Sequence, residues 1–121
     1  MSASIALTWR RAWNGDSDHT LIGDRSLASV LCLHGEAERI GLLHAVRSSS
    51  AEELVEAKLG YVYLGLPEVV LLIEAAQRMI HGSESAHGLD AEYSQLLADD
   101  KLFSSFATRY RLRPNDFSFV A

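Results

Sequence analysis

The sequence predicts an all-α fold: one compact domain of five or six short helices. Three observations carry that expectation. Apolar residues recur every three or four positions through most of the chain, as in Leu102, Phe103, Phe106 and Tyr110. Only two prolines occur, at 67 and 114, so long uninterrupted segments are allowed. The 121 residues are 48% apolar and 22% charged, which suits one soluble domain. A chain of this size buries about two thirds of its unfolded surface, enough for a core of its own. Residues 1–24 read as a variable N-terminal segment, 25–113 as the helical core and 114–121 as a tail.

In residues 5–13 two periods compete. Ile5, Leu7 and Trp9 alternate as in a strand, whereas Ile5, Trp9 and Trp13 recur at helical spacing; helix is preferred. "NGDSDHTLIGD" is turn-forming. In "DRSLASVLCLHGEAERIG", Asp24 or Ser26 can cap a helix by accepting from first-turn N–H groups. Leu27, Val30, Leu31 and His34 then share a face, and Gly41 marks the stop. Gly35 weakens this helix by about 1 kcal/mol relative to Ala.

"RIGLLHAVRSSSAEEL", residues 39–54, reads as a corner between two helices. Ser49 with Glu52, and Ser50 with Glu53, both match the reciprocal capping spacing Ser-x-x-Glu. The serines therefore begin the next helix, whose buried face takes Leu54, Ala57, Leu59, Tyr61, Val62 and Leu66. Pro67 suits the first turn of a new helix, where its missing N–H is not needed. That helix, "PEVVLLIEAAQRMI", is the most hydrophobic and is expected at the centre of the core through Val69, Val70, Leu72, Ile73, Ala76 and Ile80. "HGSESAHG" is a connection. Two more helices follow, with Asp90 and Asp99 as caps, and the last ends at Arg113 before Pro114.

Composition excludes several classes of function. The longest purely apolar run, Val69 to Ile73, is far shorter than the roughly 20 residues of a membrane span. "MSASIALTWRRAW" places its arginines after the apolar stretch, unlike a secretory signal. Cys32 is the single cysteine, so no internal disulfide forms, and it reads as a buried inert thiol between Leu31 and Leu33. A cytoplasmic location is expected. The net charge of −5 argues against direct nucleic-acid binding.

No constellation suits catalysis or a cofactor. Histidines 19, 34, 44, 81 and 87 include no i, i+4 pair and no familiar metal-ligand spacing. His44 and Ser48 stand one turn apart, but no acid nearby completes a triad. "LGYVYLG" lacks the Lys-Ser/Thr of a phosphate loop. A helix-turn-helix reader around residues 41–60 would carry Glu52, Glu53 and Glu56 into a groove lined by phosphates, with only Lys58 to balance them. Neither an enzyme, a metal nor a cofactor is expected.

The order of motifs nonetheless resembles a known family. An amphipathic helix leads into the corner Arg39-Ile40-Gly41-Leu42-Leu43 and the step Arg47-Ser48-Ser49-Ser50. A helix follows, then the break Leu64-Gly65-Leu66-Pro67 and the segment Glu74-Ala75-Ala76. Leu89, Asp90, Tyr93, Leu102, Tyr110, Pro114 and Phe117 close the pattern. Over residues 27–117 the chain resembles a small all-helical bacterial domain-of-unknown-function family that includes a DNA-mimic protein. Of that family's Asn-Gly-Gly-aromatic corner, only Gly41 is kept. The resemblance implies an all-α fold, no catalysis, and a protein-binding surface whose carboxylates can imitate phosphates.

The charge pattern gives that surface its candidates. Glu84, Asp90, Glu92, Asp99 and Asp100 form an acidic stretch without Lys or Arg, and Glu52, Glu53 and Glu56 form a second cluster. A non-enzymatic module would dock these carboxylates onto a basic protein, such as a DNA-binding protein, nuclease or toxin. An alternative is a small enzyme or ligand-binding domain with a pocket at His44, Arg47, Tyr61 and Tyr63. A homodimer fits either, because Lys101, Arg109, Arg111 and Arg113 follow the acids and opposite charges can pair across a two-fold.

Overall fold

A computed structural model describes residues 3–15, 20–81 and 88–118. The described residues form seven α-helices: α1 (Ala3–Trp13), α2 (Ile22–Ile40), α3 (Leu42–Ser48), α4 (Ala51–Tyr63), α5 (Pro67–His81), α6 (Leu89–Leu96) and α7 (Lys101–Leu112). A 3₁₀ turn, Pro114–Asp116, follows, and no strand occurs among the described residues. The all-α expectation holds, with one helix more than the five or six predicted. The addition is α3, seven residues that fill the corner between α2 and α4. Its brevity hides it from periodicity, since two turns show the spacing only once.

Gly41 makes this corner possible. Its φ of +92° lies in the region that side chains avoid, and it ends α2 and starts α3 at once. The Leu42 N–H, left without a helical acceptor, donates to Asp90 Oδ1 at 2.7 Å. Asp90 is thus not the cap of its own helix that the sequence suggested; α6 starts at Leu89 with Gly88 at its cap position, and the Asp90 carboxylate serves α3 instead. Ser50 and Glu53 form the predicted reciprocal cap of α4, with Glu53 N–H to Ser50 Oγ at 3.1 Å and Ser50 N–H to Glu53 Oε1 at 2.7 Å. The Ser49 hydroxyl donates instead to the Ala45 carbonyl at 2.8 Å.

Three other expected caps are corrected. α2 begins at Ile22, two residues before Asp24, with no side-chain cap, so Asp24 and Ser26 lie inside the helix. Asp24 is buried and accepts from the backbone N–H and the hydroxyl of Ser118, both at 2.6 Å. Asp99 and Asp100 take φ of 58° and 56° in the turn before α7, and Asp100 flanks that helix without a side-chain capping bond.

The spine of the core is α2, against which α1, α3, α4 and the 3₁₀ turn pack, rather than α5, whose neighbours are α3, α4 and α6. α5 buries Val69, Leu72, Ile73 and Ala76, but Leu71 faces solvent. Leu27 and Val30 from α2 meet Leu42 and Val46 from α3, Tyr61 from α4 and Phe106 from α7 in one fully buried cluster. Each buried aliphatic side chain there contributes about 1.5–3 kcal/mol. Ile5 and Ala12 from α1 and Phe117 from the tail belong to the same core. Gly60 lets α4 approach α2 closely: a Cβ there would stand 2.7 Å from the Ser26 carbonyl oxygen.

Candidate functional site

The α4 helix carries apolar residues on two stripes. Leu54, Ala57 and Tyr61 face the core, as predicted. Leu59 and Val62, expected beside them, face solvent with Val55, at exposures of 60%, 53% and 51%. These three recur at intervals of four and three residues, so they form a stripe of their own, displaced by about 130° from the buried one. Periodicity identifies both stripes and does not say which one a neighbouring helix covers. Val55 was the available signal, because three apolar residues outside the 54/57/61 stripe are more than a solvated face needs.

α5 packs beside α4. Lys58 Nζ donates to Gln77 Oε1 at 3.1 Å and stands 3.8 Å from Glu74 Oε2, which fixes the seam between α4 and α5. Leu71, one turn before Glu74, is 66% exposed. The same two helices carry Glu52, Glu53 and Glu56 on α4 and Glu68 and Glu74 on α5, against Lys58 and Arg78. Glu56 approaches Arg25 of α2 at 3.8 Å, while hydrogen bonds from the Ser50 backbone and hydroxyl hold the exposed Glu53 carboxyl below the usual carboxylate range.

The predicted carboxylates do not all gather here. Glu52, Glu53 and Glu56 border one cleft of about 330 Å³ between α2 and α4, with Ala28, Ser29 and Cys32 opposite. Cys32 is exposed, not buried, because it sits on the side of α2 that this cleft leaves open. Asp90 is occupied with the Leu42 N–H, Glu92 lies exposed on α6, and Asp99 and Asp100 sit in the turn beyond it. Glu84 lies outside the described residues.

The alternative site is not assembled. His44 and Arg47 point outward from α3, whereas Tyr61 is fully buried. Tyr63, two positions and about 200° further around α4, donates to Asp116 Oδ2 at 2.7 Å under the Arg109 guanidinium. Burial first, and then the Asp116 carboxylate, raise the Tyr63 phenol far above its ordinary value. The four residues line no common cavity among those described. No group of three or more potential metal ligands assembles among the described residues. None of their helices is long and apolar enough to cross a membrane.

A polar chain that the sequence did not reveal runs through the other side of the core. The Tyr61 and Tyr93 hydroxyls are 2.8 Å apart, Tyr93 Oη lies 2.7 Å from His34 Nδ1, and His34 Nε2 lies 3.3 Å from Glu38 Oε1. Glu38 fixes its direction: a carboxylate accepts only, so Nε2 carries the proton and Nδ1 accepts from Tyr93, which in turn accepts from Tyr61. Burial keeps the imidazole below its ordinary value, with the Glu38 charge pulling the other way. Burial also raises both phenols far above theirs, so the whole chain is neutral up to the carboxylate.

Among the described residues, seven helices with α2 as the spine and an exposed apolar stripe on α4 define an all-helical domain. A scan against protein-family models finds no match for this chain, and neither the curated proteins nor the solved structures yield one.

Proposed function

We propose that this chain is a non-enzymatic interaction module that docks the α4–α5 face onto a basic protein. The observation that carries the reading is the exposed set of Val55, Leu59 and Val62 on one stripe of α4 and Leu71 on the adjoining α5, each more than half accessible, on two helices that together carry five carboxylates. Apolar side chains grouped on one face lose water when covered, which supplies affinity. The surrounding carboxylates select the partner's sign and speed its approach. The motif resemblance described above points the same way, because it implies a protein-binding surface in place of catalysis. A DNA-binding protein, a nuclease or a toxin offers the basic surface that such a face complements.

Fluorescence anisotropy with two labelled amphipathic helical peptides, one Leu/Lys and one Leu/Glu, tests the chemistry of the face. The Leu/Lys peptide binds, Leu59→Ser weakens it, and Glu52→Lys with Glu56→Lys weakens it further, most at low salt. Equal binding of both peptides, or binding unchanged by Leu59→Ser, overturns the reading. A doubled mass in sedimentation that Leu59→Ser restores to monomer also overturns it, because a second copy then covers the face.

A further inference from the structure

A second site differs from that face in character, and its walls are aromatic. α1 turns Ala6, Trp9, Arg10 and Trp13 toward a cleft of about 380 Å³, closed on the opposite side by His34 of α2 and Phe103 of α7. That volume falls in the range of roughly 300–1,000 Å³ typical of small-molecule sites. The two indoles are nearly parallel, 12° apart with centroids 6.3 Å from each other, and Phe103 meets Trp9 edge-on at 4.9 Å. His34 meets Trp13 edge-on at 6.2 Å. Trp13 remains half exposed, although burying an indole is among the more favourable contributions a small core can gain.

The polar character of the cleft is one-sided. Arg10 is its one formally charged lining residue, exposed at the mouth and without a salt bridge among the described residues. Among the described residues no carboxylate lines it. His34 is committed elsewhere, with one ring nitrogen on Tyr93 and the other beside Glu38. Ala6, the smallest lining residue, leaves open the space beside Trp9 and Arg10 that a larger side chain would fill.

We infer that this cleft binds a planar aromatic carboxylate, with its ring against Trp9, Trp13 and Phe103 and its anion on Arg10. Flat π-faces take a ring in offset or edge-on contact, and a guanidinium matches a carboxylate with two parallel hydrogen bonds. The inference is independent of the α4–α5 face, since no residue is shared between the two.

Trp9 and Trp13 are the only tryptophans in the chain, so their two indole N–H resonances report on the cleft directly. In ¹⁵N-labelled full-length protein, 2-naphthoate shifts both resonances along a saturable curve, and the neutral isostere 2-naphthamide binds about tenfold more weakly. Arg10→Gln, at an exposed position, removes that tenfold preference and leaves 2-naphthamide unchanged. Trp13→Ala abolishes binding of both while the rest of the spectrum stays dispersed. Three outcomes overturn the inference: shifts that stay linear to about 10 mM, equal affinity for acid and amide, or a preference that survives Arg10→Gln.

Discussion

His34 and Tyr93 stand 59 residues apart in sequence, yet the imidazole Nδ1 accepts from the phenol at 2.7 Å. This bond ties α6 to α2 through the interior, and Nδ1 is its acceptor only while the imidazole is neutral. A protonated ring carries a hydrogen on Nδ1 and turns acceptor into donor, so the order of the whole chain from Tyr61 must reverse.

The consequence is a pH dependence with a definite sign. Burial lowers the folded-state value of His34 from an ordinary 6.5. Above 6.5 the ring is neutral in both states and adds no slope. As the pH falls through 6.5 the unfolded chain takes up its proton first, so stability drops until the pH passes the lower folded value. Urea unfolding between about pH 8 and 5 should show this loss. His34→Gln, whose amide oxygen still accepts from Tyr93, should flatten it. An identical slope in the variant would place the titration elsewhere.

Gly60 and Gly35 make a paired test of helix packing. A Cβ at Gly60 meets the Ser26 carbonyl at 2.7 Å and Val30 Cγ2 at 2.8 Å, whereas one at Gly35 meets nothing within 4 Å. Gly60→Ala should cost about 1–3 kcal/mol through overpacking, against roughly 1 kcal/mol gained in helix propensity. Gly35→Ala should gain about 0.5–1 kcal/mol. Denaturant midpoints moving in the same direction for both would show that α2 and α4 do not approach as described.

How much of this was legible in the sequence depends on the range of the interaction. The Ser50–Glu53 cap was readable because its partners are three residues apart and its chemistry repeats in every helix that uses it. The same logic misled at Asp24, Asp90 and Asp99. A short acid near a helix start looks like a cap, and nothing local shows that Ser118 or the Leu42 N–H will claim it. Leu59 and Val62 were misplaced for a related reason, since period 3.6 defines stripes and tertiary contacts choose among them. The aromatic cleft and the Tyr61–Tyr93–His34 chain draw on three helices each, so no spacing rule reaches them.

Asp90 allows the corner to be tested directly. Its carboxylate replaces the acceptor that the Leu42 N–H lacks, at the junction where Gly41 turns the chain. Asp90→Ala should cost about 1–2 kcal/mol, and Asp90→Asn, which keeps an acceptor oxygen, should recover most of it. Hydrogen exchange at Leu42 locates the effect: its amide should lose protection in the alanine variant and keep it in the asparagine variant. A uniform loss along α6 instead would mean that Asp90 acts on its own helix.

The two stripes of α4 separate stability from recognition, and Leu54 and Leu59 distinguish them. Leu54 is 6% exposed and Leu59 60% exposed on the same helix, with identical side chains and propensities. Leu54→Ala removes buried methyl groups and leaves a cavity, a loss of about 2–5 kcal/mol. Leu59→Ala removes surface already in water and should change stability by less than about 0.5 kcal/mol. Unfolding curves of the two variants measure the contrast, and peptide anisotropy should reverse it, because only Leu59 contributes to the docking face. Equal destabilisation by both would mean that the outer stripe is already covered in the folded protein, and the docking surface would then have to be sought on another helix.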